Sequence, residues 1–448
     1  MALQFTGGSS RILLSNAQVQ TFSDSGALVF DVRRRRPLYF DGRFLAARDL
    51  AREQDYFLQR QADLGRTAGF GVVHGLMPQW SATSPDTITI SSGQGVTASG
   101  ELVLLANDLT ISLTDLPEEQ NLTLRFGLGE IPVAPARTRT GLYVLALRAV
   151  EFTANPITSY PTSIQGSRQT QDGDIVEATA VSLVPYPDPG TNYEPSQRRS
   201  AIAWQVFSGT TAVQSRTNDS LLALAIVSLQ RGVIEWLDPW LVRREVSADY
   251  TGQQFGLTDR ATQMAFLMQY DQQLQEVVAQ RQSAGAGGFA ATQYFRLLPP
   301  VGRLPIASID FEAGTQNFFP AQLDVRLSII PDDELPALVD DGLNLPPIDL
   351  TLQSDDYTQL AVFIMVPVPR ANFSNLITLL QPKQLQPAVP QIISFRRPIE
   401  LLQIYRGLTT FTPAVVDNAD WKQAVGTNQY AFYARRRSAP QFVDFTNA

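Results

Sequence analysis

The chain carries few side chains that could perform chemistry. His74, in the run GFGVVHGL at 69–76, is the only imidazole, and there is no cysteine. A serine hydrolase needs a nucleophile, a base and an acid that orients the base, so His74 would have to be the base. It sits beside Val72 and Val73 in a short apolar run, and no Gly-x-Ser-x-Gly elbow occurs in the sequence. The expectation is a packed or edge-exposed histidine without a catalytic role. One histidine and no thiol also exclude the common zinc arrangements and leave only oxygen ligands for a hard cation. The carboxylate groupings are Asp172 with Asp174, Asp332 to Glu334, Asp340 with Asp341, and Asp355 with Asp356. None has EF-hand spacing, so solvated turns are expected. GAGG at 285–288 lacks the Gly-Lys-Ser/Thr ending of a phosphate loop and follows a helical pattern where such a loop should precede one. The reading is therefore no catalytic residue, no metal site and no cofactor.

Charge narrows the partners. A net charge of −8 gives no basis for broad attraction to nucleic acid or anionic lipid. Arg33, Arg34, Arg35 and Arg36 form a basic run, and shorter runs lie at Arg198–Arg199, Arg243–Arg244, Arg396–Arg397 and Arg435–Arg437. Lys383 and Lys422 are the only lysines, so nearly every cation is a guanidinium, suited to carboxylate pairing and to interfaces. Most are expected to be solvated or paired within the chain, with the 33–36 run reserved for an acidic neighbour. The first residues lack a basic stretch followed by a long apolar core, and no later run approaches the ~20 apolar residues that span a bilayer. Cytoplasmic synthesis and no membrane insertion are expected.

The 448 residues, 44% hydrophobic with 29 Gly and 29 Pro, predict several turn-rich globular domains. The fold class expected is a β-rich, multidomain α+β protein. Residues 1–36 read as an extended docking arm. Residues 37–116 read as a helix plus a small β domain. The helix, LAARDLAREQDYFLQRQADLGR, has no Gly or Pro before Gly65. On it Leu50, Phe57 and Leu64 recur every seven residues, with Gln54 and Gln61 at the alternate seam positions. Such a stripe can zip against copies of itself, its amides setting register; the alternative is a helix lying on a sheet with its glutamines at the rim.

Residues 117–256 read as a central β-sandwich-like domain with strands at GLYVLALRAVEF, IVEATAVSLVPY, AIAWQVF and LLALAIVSLQ. A helix follows with Met264, Leu267, Leu274 and Val278 on one face, and SAGAGGFAAT at 283–292 reads as a flexible joint, the two together forming a 257–292 unit. Residues 293–448 read as a C-terminal α+β domain with strands near 358–368 and 391–406.

The segment 39–105 also resembles a known module. The order Y-F-D-G-R-F-L-x-A-x-D-L-x-x-E-Q-D-Y-F, then R-x-x-G-F-G-V-V-H-G-L, then I-T-I-S-S-G-x-G-V-T-A-S-G is similar to a stretch found in tail- and baseplate-associated proteins of phages and phage-like contractile injection particles. YFRLLPPVGRLPI at 294–306 and LNLPPIDL at 343–350 resemble segments of such particles too. The helix-plus-β shoulder is also similar to the baseplate adaptor of type VI secretion. The resemblance implies a structural, non-enzymatic subunit, often a homotrimer, that docks on baseplate or tail proteins of a contractile particle. Within the motif, Phe40, Asp41, Gly42, Arg43, Asp49, Gly69, Gly71 and Gly75 read as structural: Gly42 turns the chain into the helix, Arg43 and Asp49 pair near its start, and the later glycines let a strand pass close by. Two other classes stand beside this one. A carbohydrate-binding attachment protein would use a C-terminal tryptophan and carboxylates, and a glycoside hydrolase would need a carboxylate pair whose separation a sequence does not display.

Overall fold

The computed structural model describes residues 14–25, 27–28, 35–67, 69–113, 139–159, 168–187, 195–208, 219–246, 260–352, 357, 360–380, 383–387, 421, 424–426 and 428–436. The fold is β-rich α+β with several sheets and several cores. Arg33, Arg34 and the strand expected at 391–406 lie outside the described residues.

Part of the expected extended arm is helical. Helix α1 (Asn16–Asp24) is opened by a capping box in which the Gln18 N–H donates to Ser15 Oγ and the Ser15 N–H to Gln18 Oε1 at 2.9 Å. A Ser-x-x-Gln spacing specifies that start locally, and no residue of α1 is buried.

Helix α2 (Ala47–Thr67) follows, then two three-stranded antiparallel sheets. One orders β1 (Gly71–Gly75), β4 (Gly93–Val96) and β5 (Leu102–Leu105); the other orders β2 (Pro78–Ser81), β3 (Ser84–Ile90) and β6 (Leu109–Ser112). The central sheet has the order β10 (Val233–Asp238), β9 (Leu222–Gln230), β7 (Gly141–Ser159), β8 (Gln169–Tyr186). Leu145, Leu147, Leu224 and Val227 meet Val72, Leu76, Ile88 and Ile90 of the small sheets in one core. Leu142, Val144, Ala146 and Ile226 face helix α3 (Pro195–Phe207) and the start of helix α4 (Arg260–Ser283) in another. Burial on both faces is why these strands read as continuous apolar runs.

AIAWQVF, expected as a strand, is the second half of α3. Ile202, Ala203, Val206 and Phe207 all enter the core, a spacing of one, three and one residues that only a helix brings to one side. Its β-branched and aromatic residues favoured a strand, and packing overrode that propensity.

In the C-terminal region seven strands form one mixed sheet, in the order β12 (Val301–Pro305), β19 (Tyr430–Arg435), β17 (Ala361–Val368), β15 (Asp324–Pro331), β18 (Lys383–Pro387), β14 (Thr315–Gln316), β13 (Ile309–Asp310), while β11 (Leu297–Leu298) pairs with β16 (Ile348–Asp349). The parallel pair β15 and β17 is joined through helix α5 (Leu335–Leu343), and helix α6 (Arg370–Leu379) leads from β17 to β18. The core beneath includes Phe318, Phe319, Val325, Ile364, Val366 and Tyr433.

Helix α4 belongs to two cores: Ala265 and Phe266 pack with the central sheet, and Tyr270, Leu274 and Val277 with the C-terminal one. Its buried line is therefore not the expected Met264, Leu267, Leu274 and Val278; of these only Leu274 is fully enclosed, and Met264 is exposed. Of the stretch expected as a flexible joint, 288–292 is packed as well, whereas Gly285 and Gly287 are exposed and a Cβ on either would meet no neighbouring atom. Phe289 and Ala291 are buried in the C-terminal core, and Arg281 donates to the carbonyls of Gly287 and Gly288. Small residues there allow close backbone approach: a Cβ on Gly288 would run into the Ala307 carbonyl.

Candidate docking surface

The motif before α2 folds into a loop pinned by its polar side chains. Residues 40–43 make a turn closed by the Arg43 N–H donating to the Phe40 carbonyl at 3.1 Å, with Gly42 at φ +87, the conformation a type II turn asks of its third residue. Arg43 then donates to the Leu38 carbonyl and pairs with Asp49 at 2.8 Å. Asp49 also accepts the Ala46 N–H, which supplies the reciprocal half of a cap at a helix start whose own capping position is alanine. That bond first, and then the Arg43 charge, hold the Asp49 carboxyl below its ordinary value. Tyr39 donates to Glu53 at 2.7 Å, which pushes its phenol up. Arg43 lies 5.8 Å from the Tyr39 ring and Arg36 5.9 Å from the Tyr56 ring.

With the polar groups engaged in these bonds, the apolar ones face water. Phe44 is 95% exposed and Leu38 76%, and Phe40 and Leu45 are exposed as well. The surface continues along α2, where Asp49, Tyr56 and Ala62 are buried while Leu50, Phe57 and Leu64 are 50%, 54% and 62% exposed. Gln54 and Gln61 are exposed on the same side. The far end of α2 is seated on the 97–100 turn. A Cβ on Gly65 would touch the Gly100 carbonyl, one on Gly100 would collide with the Ala62 carbonyl, and Arg66 donates to the Ser99 carbonyl at 3.3 Å.

The stretch GFGVVHGL is scaffold in this arrangement. Gly71, at φ +135, lies where the Arg244 carbonyl would stand 2.7 Å from an added Cβ, and the Val72 N–H donates to that same carbonyl at 2.8 Å. Gly69 and Gly75 also have positive φ, at +92 and +61. His74 is exposed, and its Nδ1 accepts the Gln94 N–H at 3.2 Å across the β1–β4 pair.

Sequence reading named Arg33 to Arg36, Leu50, Gln54, Phe57, Gln61 and Leu64 as the interaction residues. The structure places the five on α2 along one exposed side, and Arg35 and Arg36 are exposed beside that helix. It adds Leu38, Phe44 and Leu45, whose signal was apolar residues flanking an Asp-Gly turn. Among the described residues the shorter arginine runs supply ties within the chain: Arg199 to Asp238 at 2.7 Å, Arg243 to the Gly75 carbonyl at 2.9 Å, Arg435 to the Pro347 carbonyl at 2.8 Å; Arg396, Arg397 and Arg437 lie outside the described residues.

Elsewhere chemistry finds little to work with. Among the described residues no group of three or more His, Asp or Glu side chains could hold a metal ion. Asp172 and Asp174 accept from Thr153 and Asn155, and Asp333 and Glu334 pair with Arg370. Trp421 is fully buried and stacked with Phe311, so it offers no platform to a sugar. A cleft of about 540 Å³ near it is lined by residues 307–312 and 315–317. Among the described residues no helix is long and apolar enough to cross a membrane.

No known family profile matches the sequence, and no curated protein matches it. Among solved structures the chain is similar in part to a crystal structure of TssK, with 12% identity, 56% of this chain and 51% of that one covered, and a TM-score of 0.24. It is similar to a chain of the type VI secretion system TssK-TssF-TssG baseplate subcomplex, with 13% identity, 56% and 72% covered, and a TM-score of 0.24. It is similar also to a chain of the type VI secretion baseplate complex, with 10% identity, 57% and 50% covered, and a TM-score of 0.24. The chain thus spans about half the length of the TssK chain it matches.

Proposed function

We propose that this protein is a non-enzymatic structural subunit of a contractile injection system or phage tail, assembled into the particle near its baseplate, where it anchors or projects a further component. The observation that carries the reading is the 38–45 loop. Four apolar side chains are held in water there by a frame of polar bonds, Arg43 to Asp49 and Tyr39 to Glu53. Ordered, exposed apolar groups of this kind act as anchors that a partner covers. The resemblance of 39–105 to particle components supports a baseplate or tail protein as that partner, and the arginines at 33–36 suit an acidic rim around it.

The direct test is assembly. The double variant Phe40→Ser, Phe44→Ser alters exposed side chains only, so it should fold with an unchanged thermal midpoint yet be lost from purified particles. Deletion of 1–36 should also weaken incorporation. Particles that carry the double variant at the normal level would sink the docking assignment.

A further inference from the structure

We infer that the projecting end of the β7–β8 hairpin accepts a further strand: an extended segment of a partner protein, with basic and apolar residues in alternation, adds to the edge of β7 at residues 149–154. This surface is separate from the 38–45 loop, and the inference goes beyond the docking reading.

Strand pairing comes first. β9 pairs with β7 only as far as Leu147, opposite Leu222, whereas β8 stays paired out to Ser159, opposite Gln169. At ~3.3 Å per residue the two strands therefore run on together for about 40 Å beyond the end of β9. Among the described residues no third strand joins them there, and a two-stranded ribbon is at best marginally stable in water. Alternate residues of β7 direct their N–H and C=O groups away from β8. A strand laid along that edge continues the line of β9 and takes up those groups, which is binding by strand addition.

The acceptor edge has a defined end. Asn155 stands at φ +59 and Pro156 has no N–H to offer, so the regular edge stops at Ala154. Proline is a device that blunts an exposed edge. It protects the distal part of the ribbon and leaves the part next to β9 open.

The side chains state what the added strand carries. Leu145 and Leu147 face the core shared with the small sheets, so Glu151 and Thr153 continue that face and Phe152 takes the opposite one. Glu151 lies directly across from Glu177, and like charges in that position are destabilising. Nearby, burial first and then the Glu177 and Glu151 charges push the Glu101 carboxyl up, against the pull of Arg66. Within 149–159 and 169–180 there are four carboxylates, Glu151, Asp172, Asp174 and Glu177, and neither lysine nor arginine. Arg148 and Arg168, which bracket the ribbon, have partners of their own. A cation on the added strand beside Glu151 relieves the opposition. On the other face Phe152 is 53% exposed, and an apolar residue one place along the added strand covers it. A second copy's ribbon does not fit, since it would set carboxylates against carboxylates.

The probe is a blocked peptide as long as the 149–154 edge, with arginine and valine alternating, labelled with a fluorophore and titrated with the full chain. Saturable binding is expected in fluorescence polarisation, with slower hydrogen exchange at the 149–154 amides of the complex. The same peptide with glutamate for arginine should not bind. In such a peptide the arginine nitrogens lie on one edge and the valine nitrogens on the other, so methylating one set blocks one edge. One of the two methylated probes should bind more than about tenfold more weakly, through lost backbone hydrogen bonds, and the other as before. Glu151→Gln should weaken the unmethylated probe by about fivefold. That side chain is exposed and the change removes a like-charge opposition, so the thermal midpoint should not fall. Binding that does not saturate, equal binding of the two methylated probes, or undiminished binding by Glu151→Gln each overturns the inference. No readout here depends on particles, so normal incorporation of the Phe40→Ser, Phe44→Ser variant sinks the docking assignment and leaves strand addition standing.

Discussion

Helices α2 and α4 are of similar length, 21 and 24 residues, and both carry glutamines, yet they dispose of them in opposite ways. In α4, Gln269 donates to Asp238 at 3.1 Å and to Gln273 at 2.8 Å, and Gln273 donates to the Tyr294 carbonyl at 3.2 Å, all deep inside the chain. In α2, Gln54 and Gln61 face solvent beside uncovered leucines. An internal helix satisfies its amides with neighbours from its own chain and so ties two cores together. A helix that keeps both its amides and its apolar stripe outside is complete only when something else covers it. The difference predicts that damage to α4 unfolds the chain, while damage to α2 disperses an assembly.

The largest effect should come from the polar centre that α4 helps to build. Arg199 and Asp238 are both buried and 2.7 Å apart, and Glu276 of α4 takes a second bond from Arg199 at 2.5 Å. Arg199→Met leaves the Asp238 charge enclosed without its guanidinium, and breaking buried pairs in this way costs about 3–5 kcal/mol. Urea unfolding should show a lower midpoint, by that free energy divided by the denaturant slope. An unchanged midpoint would mean that the neighbouring amides suffice for Asp238 and that the centre does not tie the helices together.

A matched pair of substitutions sharpens the comparison. Leu274 of α4 is fully buried and Leu50 of α2 half exposed. Leu274→Ala should destabilise by about 2–5 kcal/mol through lost burial and a residual cavity. Leu50→Ala should change the stability of the single chain by less than about 0.5 kcal/mol while weakening assembly. Equal losses in both would show that α2 is held to its own chain by the stripe, contrary to the exposure seen here.

Smaller, and confined to the scaffold under α2, is the effect of Gly71→Ala. It adds a Cβ at φ +135 against the Arg244 carbonyl, and strain of this type costs about 1–3 kcal/mol. Hydrogen exchange should quicken at the Val72 and Val246 amides, whose bonds join β1 to the 244–246 segment. Unaltered protection there would mean that the backbone relieves the contact by a local shift.

These regions also differ in how far the sequence discloses them. Helix α2, the spacing of its exposed stripe and the strands around GFGVVHGL follow from local pattern, because a Gly/Pro-free run and glycine-punctuated alternation are properties of neighbours in sequence. The outward turn of Leu38, Phe44 and Leu45 was not legible, since it results from Arg43 and Tyr39 reaching residues six and fourteen positions away. Helix α3 was misread for a related reason: its apolar positions suit either a strand or a helix until the central sheet offers them a face. The buried side of α4 is set by two cores, so a single amphipathic stripe described it poorly. SAGAGGFAAT carries linker composition, yet the same small residues let a backbone be packed tightly when another chain segment lies across it.

The smallest effect concerns the pins of the 38–45 loop and is a matter of pH. The Asp49 carboxyl is held below its ordinary value by the Ala46 N–H and then by Arg43. A group with a lowered folded-state pKa contributes above its unfolded value, about 3.9, and the contribution is lost as pH falls through the folded value. The Tyr39 phenol is pushed up by its bond to Glu53, so its contribution is present below about 10 and is lost as pH rises through the raised value. The loop should therefore be closed between these two limits and loosen at each end by a different release. A fluorine-labelled Phe44 followed by NMR would report both. Asp49→Asn should remove the acid limb while leaving the alkaline one, and Tyr39→Phe should do the reverse. Limbs indifferent to these substitutions would mean that the frame around the apolar side chains is set by the Gly42 turn alone, and the contrast between a pinned surface and a packed core would then rest on α2.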